Sequence, residues 1–212
     1  MAFYIRMSDS FMNKEQSNFN NQGESEMTIK KDKSWSFKEF VIFILITLAI
    51  VVPVRTYIAQ PFIISGDSMD PTFADGQYLI VDQLSYRLND PQRGDVVIFR
   101  LPLEQSRFLI KRLIALPEES VKIEGQNIYI KKVNEDDFTK LDEEYITYPN
   151  PDGTILQETL GENQFFLLGD NRPNSLDSRF FGTIDRKFIV GRALTRLFPF
   201  NKIDWMPGKH EF

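Results

Sequence analysis

The sequence predicts a mainly β protein, with an N-terminal transmembrane helix followed by an antiparallel, β-barrel-like domain that carries a small inserted β cap. An uncharged apolar run occupies residues 40–54, and short β-branched and aromatic runs alternate with turn residues from Pro61 onward. An acidic stretch interrupts these runs at residues 134–163. Many short strands separated by Gly, Pro, Asn and Asp are typical of barrels and sandwiches.

The first 33 residues are predicted to be a disordered cytoplasmic tail. Within residues 8–26, ten of the nineteen side chains are Asn, Ser or Gln, and the apolar residues show no periodicity. A segment of this composition buries too little apolar surface to offset the entropy of ordering.

A transmembrane anchor is predicted at residues 34–59. As a helix the uncharged run covers roughly 22 Å, and extension through Ala59 brings it to about the 20 residues that span a bilayer. Four lysines precede the run, so the positive-inside rule puts the N-terminus in the cytoplasm and the following domain on the extracytoplasmic side. The alternatives are a buried core helix, which rarely lacks a polar face, and a cleaved signal peptide, for which only Ala59 offers a small residue.

The composition excludes several kinds of chemistry. The 212 residues include 25 basic and 30 acidic side chains, and the net charge of −5 argues against a nucleic-acid binder. There is no cysteine and a single histidine, His210. A thiolate nucleophile, a cysteine-ligated metal and a multi-histidine metal site are therefore excluded.

Residues 60–212 are predicted to form the β-domain, with a first part at 60–133 and a second part at 164–212. The predicted strands are QYLIV (77–81), DVVIF (95–99), FLIKRLIAL (108–116), SVKI (120–123), NIYI (127–130), FFLL (165–168) and KFIVGRA (187–193). A hairpin is expected to turn at Glu124-Gly125. The stretch between the two parts holds nine acids and one base, which is typical of a solvated insertion. Since surface insertions are well tolerated, we expect residues 134–160 to be dispensable for chemistry.

Ser68 is the first candidate for chemistry, in the segment SGDSMDPT at residues 65–72. Gly66 permits a close backbone approach, and Pro71 stiffens the exit from the turn. A serine on a tight turn beside free backbone N–H groups is a plausible nucleophile with a local oxyanion hole. The alternative is an ordinary turn serine.

Lys111 is the second candidate, in a strand that is apolar on both faces. Alternation puts Lys111 with Leu109 and Leu113 on one side and Arg112 on the other, and it leaves open which charged side chain points inward. Burial lowers the pKa of a lysine, and a shift from about 10.4 to near 7 costs on the order of 4–5 kcal/mol. Only a neutral amine accepts a proton, and an arginine stays charged, so the chemistry selects Lys111. The alternative is a lysine that extends to solvent.

A polar loop at residues 169–182 is the third candidate. Ser175 and Ser178 supply hydroxyls that can orient an amine, and Asp177 with Arg179 can brace the loop. A hydrogen-bonded, Asx-rich turn explains the same residues.

In combination these segments resemble bacterial type I signal peptidase (leader peptidase). The shared order is an anchor, AQPF-IISGDSMDPTF, RGDVVIF, IKRLIALP and GDNRPNSLDSRFFG, over roughly residues 55–198. The resemblance implies a membrane-bound serine endopeptidase that removes N-terminal signal peptides from exported preproteins on the outer face of the cytoplasmic membrane. Ser68 then matches the nucleophile and Lys111 the general base, and neither a metal nor an organic cofactor is needed.

The resemblance also implies roles for residues around the dyad. Ser175 matches the serine that hydrogen-bonds the lysine, Asp177 and Arg179 match the bracing pair, and Asp170 matches the loop acid. Phe62 and Ile64 match the residues that line the pockets for small substrate side chains at −1 and −3. Residues 62–65, including Ser65, match the segment beside which the substrate adds as a strand. Gly66 stands where some members carry a serine that completes the oxyanion hole. Glu118-Glu119 stand where Gly-Asp is usual, and Phe73 replaces the usual leucine.

Two other functions fit parts of this pattern. A self-cleaving repressor-like Ser-Lys peptidase shares the β architecture, but it carries a helix-turn-helix domain where this chain has the predicted anchor. A non-catalytic, membrane-tethered β-domain would bind partners, and serine-reactive inhibitors would not label its Ser68.

Overall fold

The computed structural model describes residues 36–53 and 59–212, and the predicted tail lies outside them. Helix α1 spans Phe37–Pro53, and its side chains are exposed. Its N-terminus carries a reciprocal capping box, in which the Glu39 N–H donates to Ser36 Oγ at 3.4 Å and the Ser36 N–H donates to the Glu39 carboxylate at 2.9 Å. The chain divides into two units within this helix, after Leu45.

The predicted anchor at 34–59 is described only in part, because residues 34–35 and 54–58 lie outside the described ranges. Across residues 36–53 and 59–212, no helix combines the length and the apolar character that crossing a bilayer requires.

Antiparallel strands make up most of the regular secondary structure of residues 59–212, which confirms the mainly β prediction. The strands are β1 Ala59–Ile63, β2 Tyr78–Asp82, β3 Val96–Leu101, β4 Glu104–Ala115, β5 Ser120–Glu124, β6 Asn127–Lys131, β7 Thr139–Lys140, β8 Ile155–Thr159, β9 Gln164–Leu168, β10 Ile184–Asp185, β11 Ile189–Phe198 and β12 Asp204–Trp205, and the short helices are α2 Ser85–Leu88 and α3 Ser178–Phe181. The larger sheet has the order β1-β2-β11-β3-β4-β9-β10, with β12 paired to β11.

The barrel-like closure predicted from the sequence is wrong for the described strands. The larger sheet is open, with β1 at one end and β10 at the other. Closure requires the two end strands to pair, and β10 is only two residues long. The outer edge of β1 is therefore left without a strand partner within residues 59–212.

A four-stranded sheet of order β7-β6-β5-β8 is inserted between β4 and β9, which are neighbours in the larger sheet. The predicted hairpin forms, with Glu124 paired to Asn127 across the turn. Because β5 and β6 belong to this sheet, it starts at Ser120, before the acidic stretch at 134–163 begins.

The core consists of buried clusters on both sides of the larger sheet. Strand β3 sends Val96 and Ile98 into the cluster beneath the β1–β2 connection, whereas Val97 and Phe99 enter the cluster on the other side. Strand β9 also alternates, between the second of these clusters and a third one that it shares with β5 and β6. This two-sided burial explains why both strands are almost uninterrupted apolar runs.

The turn after β4 contains a strained residue at the position where the resembled family usually has glycine. Glu118 has a φ of 64°, in the left-handed region that disfavours side chains with a Cβ. The carboxylate of its neighbour Glu119 accepts the Leu116 N–H at 2.8 Å and pairs with Arg93 at 2.5 Å. These two contacts hold the turn.

Glu118→Gly is expected to raise the free energy of unfolding by about 1 kcal/mol, because glycine adopts this φ without steric cost. Urea denaturation measures the change. The matched control is Glu162→Gly, at an exposed position without a positive φ, which should lower the free energy by about 0.5–1 kcal/mol through unfolded-state entropy. Equal destabilisation by the two variants would contradict the strain at Glu118.

Candidate active site

Ser68 lies on the connection between β1 and β2. Met69 and Phe73, on either side of Pro71, are almost fully buried and anchor this connection in the core. Gly66 has a φ of +96°, which suits glycine, and its N–H donates to Asp75 Oδ1 at 2.8 Å. The half-buried Ser68 is thus held on a fixed turn.

Lys111 meets Ser68 across the site, as the sequence predicts. The Nζ atom of Lys111 lies 2.6 Å from Ser68 Oγ and donates to the Ile110 carbonyl at 2.9 Å. Only 2% of Lys111 is exposed. The amine and the hydroxyl are therefore within proton-transfer distance in a site that largely excludes water.

Burial lowers the pKa of Lys111 from its ordinary value to about 8. The carboxylates of Asp177 and Asp170 raise this pKa, and the guanidinium groups of Arg107 and Arg179 lower it, but desolvation outweighs each of them. A substantial fraction of the amine is therefore neutral at mildly alkaline pH, and only that form can accept a proton.

Arg112 also points into the protein, which answers the question that strand alternation leaves open. Its Nε and Nη2 donate to the two oxygens of Asp170 at 2.8 and 2.6 Å, and both side chains are at most 1% exposed. Nη1 donates to the Gly94 carbonyl at 3.0 Å and to the Gly208 carbonyl. Thr72 Oγ1 donates to Asp170 Oδ2 at 2.6 Å, which ties the Ser68 turn to the same pair.

The Arg112–Asp170 pair and the role of Thr72 are absent from the sequence interpretation. A signal for the pair exists: an arginine in a strand that is apolar on both faces needs a buried acid, and Asp170 directly follows the apolar strand β9.

Residues 169–179, here called the GDNR loop, contain the predicted bracing pair. Arg179 Nε and Nη2 donate to the Asp177 carboxylate, each at 2.8 Å. Asp177 also accepts the Gly169 N–H at 3.1 Å, which closes the loop on its own first residue. Ser178 Oγ accepts the Leu167 N–H at 3.0 Å, so this hydroxyl serves the backbone of β9 and not the amine.

The GDNR loop packs directly against the Ser68 turn. A Cβ at Gly169 would lie 2.2 Å from Ser175 Oγ and 2.5 Å from the Ser68 carbonyl oxygen, so only glycine fits there. The N–H of Asn171 donates to the Ser68 carbonyl at 3.1 Å, and its side-chain amide donates to the Asp67 carbonyl at 3.1 Å. The loop therefore fixes the backbone of the serine turn.

The predicted hydrogen bond between Ser175 and Lys111 does not form. Ser175 Oγ is buried beside Gly169 and has no hydrogen-bond partner within residues 36–53 and 59–212. The Lys111 amine is already engaged by Ser68 Oγ and its own strand.

An apolar cavity of about 120 Å³ adjoins the two reactive groups. A cavity of this size suits small side chains. The predicted substrate-binding residues all line it, together with others from β2, β3 and β4: Phe62, Ile63, Ile64, Ser65, Ser68, Leu79, Ile98, Phe108, Leu109, Ile110 and Lys111.

Part of the acidic stretch contacts the GDNR loop and its partners. We call residues 143–150 the strap. Its contacts are the Glu143 carboxylate with Arg172, the Tyr145 ring 4.1 Å beneath the Arg112 guanidinium, the Tyr148 carbonyl with the Arg172 N–H at 3.2 Å, and the Asn150 side chain with Arg179 Nη1 at 3.1 Å. The expectation that the stretch is dispensable is therefore revised for these residues.

No group of three or more His, Asp or Glu side chains suited to a metal ion occurs in the described part of the chain.

Comparison with known proteins decides the family. The family model for signal peptidase, peptidase S26, matches residues 37–198. The chain belongs to this family. Signal peptidases of this family are serine endopeptidases, so the predicted enzyme class and the resemblance are confirmed.

Relatives of this signal peptidase span most of the chain. A probable signal peptidase I-1 of Synechocystis sp. is 35% identical, over 78% of this chain and 85% of its own. Signal peptidase I of Bacillus licheniformis is 34% identical, over 85% of this chain and 97% of its own. A crystal structure of a signal peptidase I from Enterococcus faecalis matches with 29% identity and a TM-score of 0.41, over 49% of this chain and 97% of that one.

Proposed function

We propose that the protein is a membrane-bound serine endopeptidase that removes N-terminal signal peptides with a Ser68–Lys111 dyad. The observation that carries the proposal is the buried Lys111 amine, 2.6 Å from Ser68 Oγ beside an apolar cavity. The family membership supports signal peptides as substrates.

The chemistry is acyl transfer in two steps. Neutral Lys111 takes the proton of Ser68 as Oγ bonds to the scissile carbonyl carbon, and the resulting ammonium then gives that proton to the leaving amine. The signal peptide remains as an ester on Ser68. Lys111, again neutral, takes a proton from the water that attacks the ester, and returns it to Ser68 Oγ as the acid product leaves.

The oxyanion of each tetrahedral intermediate needs fixed donors. The Ser68 N–H makes no hydrogen bond within residues 36–53 and 59–212, so it is free to donate. Gly66 cannot supply a hydroxyl, and the hole therefore depends on backbone donors here. Ser175, buried and unpartnered within the described residues, offers a hydroxyl to the Lys111 ammonium while each tetrahedral intermediate exists.

The substrate binds as an added strand. An extended segment can add beside residues 62–65, at the outer edge of β1, because that edge has no strand partner within residues 59–212. Phe62 and Ile64 line the adjoining cavity, which accepts the small side chains at −1 and −3. Asp170, Asp177 and Arg179 act indirectly, by holding the GDNR loop.

We propose that the enzyme is a single-pass protein of the cytoplasmic membrane, with a cytoplasmic N-terminus and an extracytoplasmic catalytic domain. An exposed aromatic surface supports this location: Tyr78, Phe198, Phe200, Ile203 and Trp205 are all exposed. Tyr78 pairs with Ile63, which borders the substrate cavity. Exposed aromatic side chains are favoured at bilayer interfaces, where the apolar segment of a preprotein also lies.

Incubation of the full-length protein in detergent with a purified preprotein tests this function. We expect one cut after a small residue, located by sequencing the new N-terminus of the product. Labelling of Ser68 by a serine-reactive inhibitor should accompany it. Cleavage of the enzyme alone would favour a self-cleaving peptidase, and absence of both cleavage and labelling would favour a binding domain.

The rate of cleavage is expected to rise with pH through the pKa of Lys111, about 8. Below that pH the amine is protonated and cannot take the Ser68 proton, so log kcat/KM should fall by about one unit per pH unit. A pH profile of kcat/KM for the wild type and for His210→Ala measures this. An acidic limb that disappears in the histidine variant would rule out Lys111 as the base.

A further inference from the structure

Arg172 is an almost fully buried arginine, 1% exposed, at the centre of the GDNR loop. Its Nε donates to the Gly169 carbonyl at 2.9 Å, so it fixes the residue that packs on Ser68 and Ser175. Its two terminal nitrogens donate to the Glu143 carboxylate, of which the side chain is 11% exposed. Burial alone would lower the pKa of Arg172, but Glu143 raises it above its ordinary value.

Glu143 is set apart from the rest of the acidic stretch. Its neighbours Asp142 and Glu144 are exposed, as expected for a solvated insertion. Glu143 instead turns inward, and its Oε1 also accepts the Tyr145 hydroxyl at 2.9 Å. The Tyr145 ring stacks on Arg112, and Arg112 binds Asp170. The Glu143 carboxylate is therefore connected to Asp170 through Tyr145 and Arg112, and directly to Arg172.

We propose that Glu143 is a positioning residue, which acts through Arg172 to hold the GDNR loop against the Ser68 turn. The proposal rests on the proposed dyad, because its effect is exerted on Ser68 and Lys111. The loop supplies the Asn171 bonds to the Ser68 and Asp67 carbonyls, and the charges of its Asp170 and Asp177 raise the pKa of Lys111. The Ser68 backbone and the surroundings of the amine therefore depend on where the loop sits.

Glu143→Gln tests the proposal with a side chain of the same shape. It replaces one acceptor by an N–H₂ donor that faces the donors of Arg172. Loosening of the loop misplaces the reacting groups, and we expect kcat/KM to fall by about tenfold to a hundredfold. A loosened loop also admits water to Lys111. Since desolvation is the largest influence on the pKa of Lys111, this pKa rises, and the acidic limb should move to higher pH. The substitution leaves unchanged the four charged groups that influence the pKa of Lys111, which are Asp177, Asp170, Arg107 and Arg179.

The matched control is Glu144→Gln, which removes the same charge from the adjacent exposed residue and should leave both kcat/KM and the limb unchanged. A fall in kcat/KM for Glu143→Gln without a moved limb would mean partial unfolding only, and would overturn the proposal, as would wild-type behaviour. Should Glu143→Gln not fold, as judged by thermal unfolding, Glu143→Asp carries the test. It keeps the charge but shortens the reach, so a smaller shift in the same direction is expected, and an unmoved limb overturns the proposal. Inactivity of Ser68→Ala and a wild-type limb near pH 8 test the dyad separately.

Discussion

Ser68→Ala and Lys111→Met will each abolish cleavage of a preprotein while the protein remains folded. The first removes the proposed nucleophile and the second the base that lies 2.6 Å from it. Because the two groups act as a unit, the double variant should be no worse than either single one, and losses of about 10⁴–10⁶ in kcat are typical of such sites. Single-turnover cleavage of a labelled preprotein measures the loss.

The stability of Lys111→Met distinguishes a loss of catalysis from a loss of folded structure. The lowered pKa means that the folded state holds the charged amine less favourably than the unfolded chain, by about 3 kcal/mol below pH 8. An unbranched apolar side chain of similar length removes that cost, so Lys111→Met should be as stable as the wild type or more stable at pH 7. In the wild type the same penalty disappears as pH rises from about 8 towards 10.5.

His210→Ala is the control for both variants. His210 packs against the rings of Tyr145 and Phe212, at 4.8 and 4.6 Å between centroids, and should retain most activity when replaced. An inactive histidine variant beside an active Lys111→Met would contradict the dyad.

Asp170→Ala will lower the free energy of unfolding by about 3–5 kcal/mol, the usual cost of leaving a buried charge without its partner. Arg112 is 1% exposed and forms its bidentate pair with Asp170, and Thr72 Oγ1 loses its acceptor as well. Urea denaturation of the purified full-length protein, with activity measured in parallel, reports the change in the free energy of unfolding.

Asp185→Ala provides the comparison for Asp170→Ala. Asp185 pairs with Lys187 at 3.1 Å on the surface, where the two side chains are 40% and 70% exposed, and its loss should cost about 0–1 kcal/mol. If both aspartate variants lost the same amount, the buried pair would not be a main support of the site.

The sequence predicts those parts of the site that are local or chemically selective. Asp177 and Arg179 are two residues apart and meet as expected. Lys111 can be preferred to Arg112 because arginine cannot serve as the base, and its pairing with Ser68 is what the family resemblance implies.

The parts that the sequence does not predict depend on distant contacts. Arg112 and Asp170 are 58 residues apart, and the apolar run of β4 does not show which acid its arginine meets. Glu143 lies in a stretch whose composition indicates solvent exposure, and only the fold turns it towards Arg172. The pattern of short apolar runs and turns predicts sheet closure, but it does not show that β10 has only two residues.

Lys111 and Arg112 are consecutive residues of one strand, and they project to opposite sides of it. The pairings of Val97 with Lys111 and of Leu168 with Arg112 set the phase of β4 on both of its edges. A slip of one residue would exchange the amine for a guanidinium that cannot release its proton, while a primary amine took the place of the brace on Asp170. Hydrogen-bond register is thus as much a requirement for the chemistry as residue identity. We expect insertions to be compatible with activity at the exposed tip of the β3–β4 hairpin, and to abolish activity within the part of β4 around Lys111 and Arg112.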